Sequence, residues 1–179
     1  MGIRVVAATA GDLSAIHAAY DAGRVVQRAQ STTSWPEFSD ARILSEIDNQ
    51  LLFCVVDGDA IAGVFSIAYE DQLLWGDLER GAHIYLHRIS RAANYDGHGI
   101  VHAVIAWARA KCVELGREGL RVDTWASNAA LVAYYERFGF QLLGTRVMSS
   151  DPRLSVHYHG IELALMEERV GEHYGNTAM

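Results

Sequence analysis

Leu120-Arg121-Val122-Asp123-Thr124-Trp125, followed closely by Asn128-Ala129-Ala130-Leu131-Val132-Ala133-Tyr134-Tyr135-Glu136-Arg137-Phe138-Gly139-Phe140, is the stretch whose reading decides the fold. Its first six residues read as a strand. Ser127 or Asn128 offers a side-chain oxygen suited to cap a helix start. Leu131, Tyr134, Tyr135 and Phe138 then share one helical face, and Gly139 ends the helix. Phe140 to Met148 reads as the next strand.

Working backwards, Val101, Val104, Ile105, Ala108, Cys112 and Leu115 repeat at helical spacing, with Gly116 as the stop. Directly before this helix stands Tyr95-Asp96-Gly97-His98-Gly99, and before that a strand from Ala82 to about Ser90. The first turn of a helix exposes backbone N–H groups and partial positive charge. Glycines let a phosphate come close to them, so this loop is a candidate pyrophosphate seat. It is not a dinucleotide-binding fingerprint, because His102 occupies the place of the third glycine. It lacks the lysine of a P-loop.

Nearer the N-terminus, Ile3 to Ala7 reads as a strand and Asp12 as the cap of a helix carrying Leu13, Ile16, His17 and Tyr20. Arg24 to Phe38 reads as irregular. A second helix is expected from about Asp40 to Asn49. Leu51 to Val56 and Ile61 to Tyr69, joined through Asp57-Gly58, read as a hairpin. At the other end Val156 to Leu165 is expected to close the sheet, and the polar segment 169–179 to be a tail after a single domain at 1–168. The order is neither a strict alternation of strand and helix nor a bundle, so a mixed α/β sheet with helices on both faces is expected.

The bulk properties narrow the function classes. The formal net charge of -7 disfavours nonspecific binding to nucleic acid or to an anionic membrane. No apolar run approaches a membrane span and no signal-peptide pattern opens the chain, which points to the cytoplasm. Cys54 and Cys112 lie in apolar segments and read as reduced, buried thiols. The eight histidines form no recognisable ligand set with cysteine or carboxylate, so no metal is expected.

The quoted stretch resembles the late strand–helix–strand motif of the GNAT superfamily of N-acetyltransferases. That motif places Asn, then Tyr seven residues on, then Gly-Phe; Asn128, Tyr135, Gly139 and Phe140 match it. The glycine loop is similar to the family's acetyl-CoA loop, with Gly99 on its central glycine. Asp96 stands where the family carries Arg or Gln, and Val101 where it carries a small residue. The resemblance implies a mostly antiparallel central sheet and acetyl-CoA as cosubstrate. It implies binding through the Ile89, Ser90 and Arg91 backbone, in the manner of an added strand. It further implies contacts from Asp96, Gly97, His98, Gly99, Ile100 and Val101, and from Asn128 and Tyr135.

The resemblance also implies the chemistry. Tyr135 would protonate the departing thiolate, a task suited to a phenol of pKa about 10. His87 would accept the ammonium proton, as a neutral imidazole does near neutrality. Glu70, Glu79 or an ordered water are alternatives. Trp35, Phe38, Trp75, Tyr158 and His159 are candidate liners of the acceptor pocket. The acceptor is expected to be a small-molecule amine or a peptide N-terminus, and the protein a monomer or homodimer. The competing reading, prompted by Asp96, is an acyl-CoA-binding module without turnover.

Overall fold

A computed structural model describes residues 2–30, 33–95 and 99–171. In chain order its elements are β1 (Ile3–Ala7), α1 (Leu13–Gln30), α2 (Asp40–Asp48), β2 (Leu52–Asp57), β3 (Ala60–Ala68), α3 (Gln72–Trp75), β4 (His83–Arg91), α4 (Ile100–Leu115), β5 (Gly119–Trp125), α5 (Ala129–Glu136), β6 (Gln141–Val147) and β7 (Glu162–Arg169). The strands form one sheet in the order β1-β2-β3-β4-β5-β7-β6. β1 with β2, β2 with β3, β5 with β7 and β6 with β7 run antiparallel. β4 and β5 run parallel, pairing from His83↔Gly119 to Leu86↔Val122. The expected mixed, mostly antiparallel sheet is present.

Side-chain caps open α2 and α5, the second of them expected. The Ser39 hydroxyl accepts the Arg42 N–H at the start of α2. Asn128, rather than Ser127, caps α5, accepting the Leu131 N–H at 3.1 Å. Asp12 is not the cap of the first helix. Thr9 opens a short 3₁₀ turn, Ala10–Asp12, and Asp12 reaches back to the Thr9 N–H, forming a capping box. α1 also continues to Gln30, through residues expected to be irregular. Arg24 explains part of this: it is buried, pairs with Asp21 one turn back and donates to the Pro36 carbonyl. α3 is a single turn that no periodicity announces. The last strand begins at Glu162, because Val156–Tyr158 forms a 3₁₀ turn, and it runs to Arg169, just past the expected start of the tail.

By internal contacts the chain divides into two compact units. The first is Met1–Ile67 with His87–Trp107, and the second is Ala68–Leu86 with Ala108–Met179. The core of the first holds Ile16, Tyr20, Phe38, Ile43, Leu52 and Val64, drawn from both early helices and the hairpin. Burying each large side chain of this kind contributes about 1.5–3 kcal/mol. Trp107 of α4 meets Phe53 and Phe65 at ring-centroid distances of 4.4 and 5.3 Å, seating the front of α4 on β2 and β3. The core of the second holds Trp75, Tyr85, Met148, Leu163 and Leu165. Cys54 and Cys112 are free and buried as expected, and burial pushes both thiols up to about 12.

Candidate functional site

In the first unit the decisive local feature is in β4. Arg88 has a φ of 52°, in the left-handed region, within a strand. A non-glycine residue held there costs roughly 1–3 kcal/mol and persists only when its surroundings over-determine it. The parallel ladder with β5 ends at Leu86, two residues earlier, so Ile89, Ser90 and Arg91 lie beyond it. His87, the expected base, immediately precedes the distortion. Its side chain is half-buried, and its carbonyl accepts from the Ser66 hydroxyl at 3.5 Å.

The end of β4 and the start of α4 come together over Gly63 of β3. A Cβ on Gly63 would stand 2.8 Å from both Ile100 Cγ2 and the Ser90 carbonyl oxygen, and 3.6 Å from the Arg91 Cα. Only a residue without a side chain lets these segments approach so closely. Ser90 is anchored by its hydroxyl, which donates to the Ala19 carbonyl at 2.6 Å. Arg91 is exposed and donates to the Tyr95 carbonyl, closing the first part of the loop upon itself. Gly99, at φ 81°, directly precedes α4, and its carbonyl accepts the Ala103 N–H. Ile100 is buried and Val101 half-buried, so the first turn of α4 is fixed to the hairpin. Asp96, Gly97 and His98 lie outside the described residues.

Arg88 is a residue that sequence reasoning missed. Its Nη2 donates to Glu46 Oε2 at 2.5 Å and to the Ser66 hydroxyl at 2.7 Å; its Nε reaches the same hydroxyl at 3.2 Å. The guanidinium carbon lies 4.8 Å from the Phe38 ring centre and 5.4 Å from that of Tyr20. Phe38, Trp35 and Tyr20 meet edge to face or tilted, so two of the expected liners form one aromatic cluster with Tyr20. The sequence signal was weak: an arginine in a strand that mixes apolar and ionisable residues.

Asn128 and Tyr135 belong to the second unit. Asn128 spends its side-chain oxygen on the cap of α5, leaving the amide nitrogen outside that bond. Tyr135 is buried, with its ring edge-on to Phe140. Burial pushes its phenol well up, and Tyr134 and Asp123 push it further, so it holds its proton throughout the neutral range. The Asp71 and Asp123 carboxylates come within 4.8 Å of each other in this unit.

Glu79 is a poor base. Burial pushes its carboxyl up, but hydrogen bonds from Tyr85 and from backbone N–H groups, among them those of Asp71 and Gly81, outweigh this and hold it low. Trp75 is fully buried and stacks on the Arg121 guanidinium at 4.6 Å. No helix among the described residues is long and apolar enough to cross a membrane.

Comparison with known proteins bears on what this arrangement does. The curated relative YesJ of Bacillus subtilis (strain 168), an uncharacterised N-acetyltransferase, is 32% identical over 74 residues. That match spans 41% of this chain and 41% of the relative. A GNAT-family acetyltransferase structure from Listeria monocytogenes superposes with a TM-score of 0.72 at 22% identity, covering 93% of this chain and 94% of that one. The structure of yncA from Salmonella typhimurium, with its cofactor acetyl-CoA, gives 0.68 at 13% identity over the whole of both chains. At such identities the two structures speak for the fold alone. A family model described as the acetyltransferase (GNAT) family matches residues 20–140, two thirds of the sequence, and the chain belongs to that family.

Proposed function

We propose that this protein transfers the acetyl group of acetyl-CoA to a primary amine by direct attack, with both substrates bound. The observation that carries this reading is the meeting of Ser90 and Arg91 with Ile100 over Gly63. It fixes an extended backbone segment beside the first turn of a helix. The Ile89, Ser90 and Arg91 backbone is the proposed partner for the amides of the pantetheine arm. The first turn of α4, from Gly99 through Ile100 and Val101, together with Asp96, Gly97 and His98, is the proposed seat of the pyrophosphate. Asn128 is the proposed further donor to the cosubstrate.

The amine must first lose a proton, and His87 is the proposed acceptor. The amine nitrogen then attacks the thioester carbonyl carbon. The new C–N bond forms, the C–S bond breaks, and the electron pair leaves on sulfur. Tyr135, kept protonated by its burial, donates its proton to that thiolate, and the second proton, shed by the acetylated nitrogen, restores the phenol.

The test is thiol release from acetyl-CoA over a panel of amines, with mass spectrometry on the acceptor. The reading expects acetylated amine and free CoA in equal amounts. Acetyl-CoA binding with no turnover on any amine would favour a module that holds acyl-CoA without chemistry.

A further inference from the structure

We infer that the amine acceptor carries a carboxylate, received by Nη1 of Arg88 and the hydroxyl of Tyr20. The inference rests on the acetyltransferase reading above and narrows it to a substrate class.

Two buried donors in the first unit have no protein partner among the described residues. The Arg88 side chain is 9% exposed and Tyr20 is 0% exposed. Among the described residues nothing within hydrogen-bond reach satisfies Arg88 Nη1 or the Tyr20 hydroxyl. Leaving either donor buried and unpaired is costly, more so for the charged one. The Arg88 guanidinium carbon lies 5.4 Å from the centre of the Tyr20 ring, so the two donors belong to one cluster.

The charge balance selects an anion. Glu46 pairs with both Arg42 and Arg88, so one carboxylate faces two guanidinium groups around Phe38. Arg42 is half-exposed and screened by solvent, whereas the buried Arg88 guanidinium has to share its one carboxylate with it. Nε and Nη2 of Arg88 are already engaged by Ser66 and Glu46, which leaves Nη1 as the open donor. A guanidinium N–H and a phenol O–H together offer one donor to each oxygen of a carboxylate. Burial of both donors demands a compact ligand.

Position ties this to the reaction. Arg88 follows His87 directly and precedes the Ile89–Arg91 backbone, and its left-handed φ is the local strain of the strand. In an α-amino acid the amine and the carboxylate are one carbon apart. A peptide N-terminus has a neutral amide in place of that carboxylate. The acceptor class is therefore a free amino acid or similarly compact amino-carboxylic acid.

The test uses the full chain, acetyl-CoA, the twenty common L-amino acids and the matching carboxamides, with thiol release as readout. At least one acid should exceed its carboxamide by ~100-fold in kcat/KM, because the carboxamide leaves a buried cation unanswered. Arg88→Met should bring that ratio close to one with the Kd for acetyl-CoA unchanged. Arg88→Lys, which keeps the charge, should retain part of the preference. Carboxamides or peptides accepted as well as acids would overturn the inference, as would an acid preference that survives in a folded Arg88→Met protein. Calorimetry separates the two levels: a wild-type chain that binds no acetyl-CoA removes the acetyltransferase reading itself. A chain that binds and turns over amines without regard to the carboxylate removes only the substrate class.

Discussion

Arg121 and Arg88 are both arginines buried on strands, one in each unit, and they are held in opposite ways. Arg121 has every polar edge answered. Nε and Nη2 meet Glu167 Oε2 at 2.9 and 2.8 Å, while Nη1 meets the Leu78 carbonyl and the Tyr85 hydroxyl at 2.7 and 2.9 Å. Its plane lies over Trp75. Arg88 sits on strained backbone, shares Glu46 with Arg42, and keeps one donor unanswered among the described residues. A buried charge that is fully paired specifies structure. One that is strained and partly unpaired is where a ligand is to be sought.

The comparison breaks most directly on stability. Arg121→Met leaves the buried Glu167 carboxylate with only His83 at 3.1 Å and the exposed Arg169 at 3.5 Å, and also leaves the Leu78 carbonyl and Tyr85 hydroxyl without their donor, so unfolding in urea should show a loss of about 3–5 kcal/mol. Arg88→Met leaves Glu46 with Arg42 and removes an unpaired donor, so its cost should stay under about 1.5 kcal/mol. Equal costs would erase the distinction. Next in size is Tyr135→Phe, expected to lower kcat ~100-fold, or roughly 2.7 kcal/mol in the barrier, with stability little changed. An unchanged rate on a confirmed substrate would remove Tyr135 as the acid.

Gly63→Ala sharpens the account of the first unit. The added methyl would stand 2.8 Å from Ile100 and from the Ser90 carbonyl, so a loss of about 1–3 kcal/mol and weaker acetyl-CoA binding are expected. Full retention of both would show that the approach of β4 and α4 over Gly63 is dispensable.

The smallest effect is a pH dependence from the second unit. Burial and the Arg121 charge hold His83 below its ordinary range, against the pull of Glu167. The unfolded chain therefore takes up this proton more readily than the folded one. His83 contributes nothing above the ordinary histidine range, and stability is lost as pH falls through it. His83→Gln should flatten the decline of Tm between about pH 7 and pH 5.5, a window set by the ordinary histidine pKa near 6.5. An unaltered slope would place the acid sensitivity elsewhere.

Much of the fold was legible because it is written in local chemistry. The strands and helices around Asn128 and Tyr135 follow from a cap, an apolar face and a glycine stop. α3 was not legible, since four residues show no period, and neither was the extension of α1, which depends on Arg24 finding Asp21 and Pro36. The candidate site divides the same way. Ile89, Ser90, Arg91 and Tyr135 came from resemblance to a family motif. Arg88 did not, because a left-handed residue inside a strand leaves no mark on the sequence pattern. Its partners Tyr20, Glu46 and Ser66 lie 22 to 68 positions away in sequence, on two helices and another strand.

The most direct test of the central claim is isothermal titration of the full-length chain with acetyl-CoA. The account predicts saturable one-to-one binding, with a Kd between about 1 μM and 1 mM, the range usual for substrates of such enzymes. Absence of detectable heat with acetyl-CoA at millimolar concentration would contradict it.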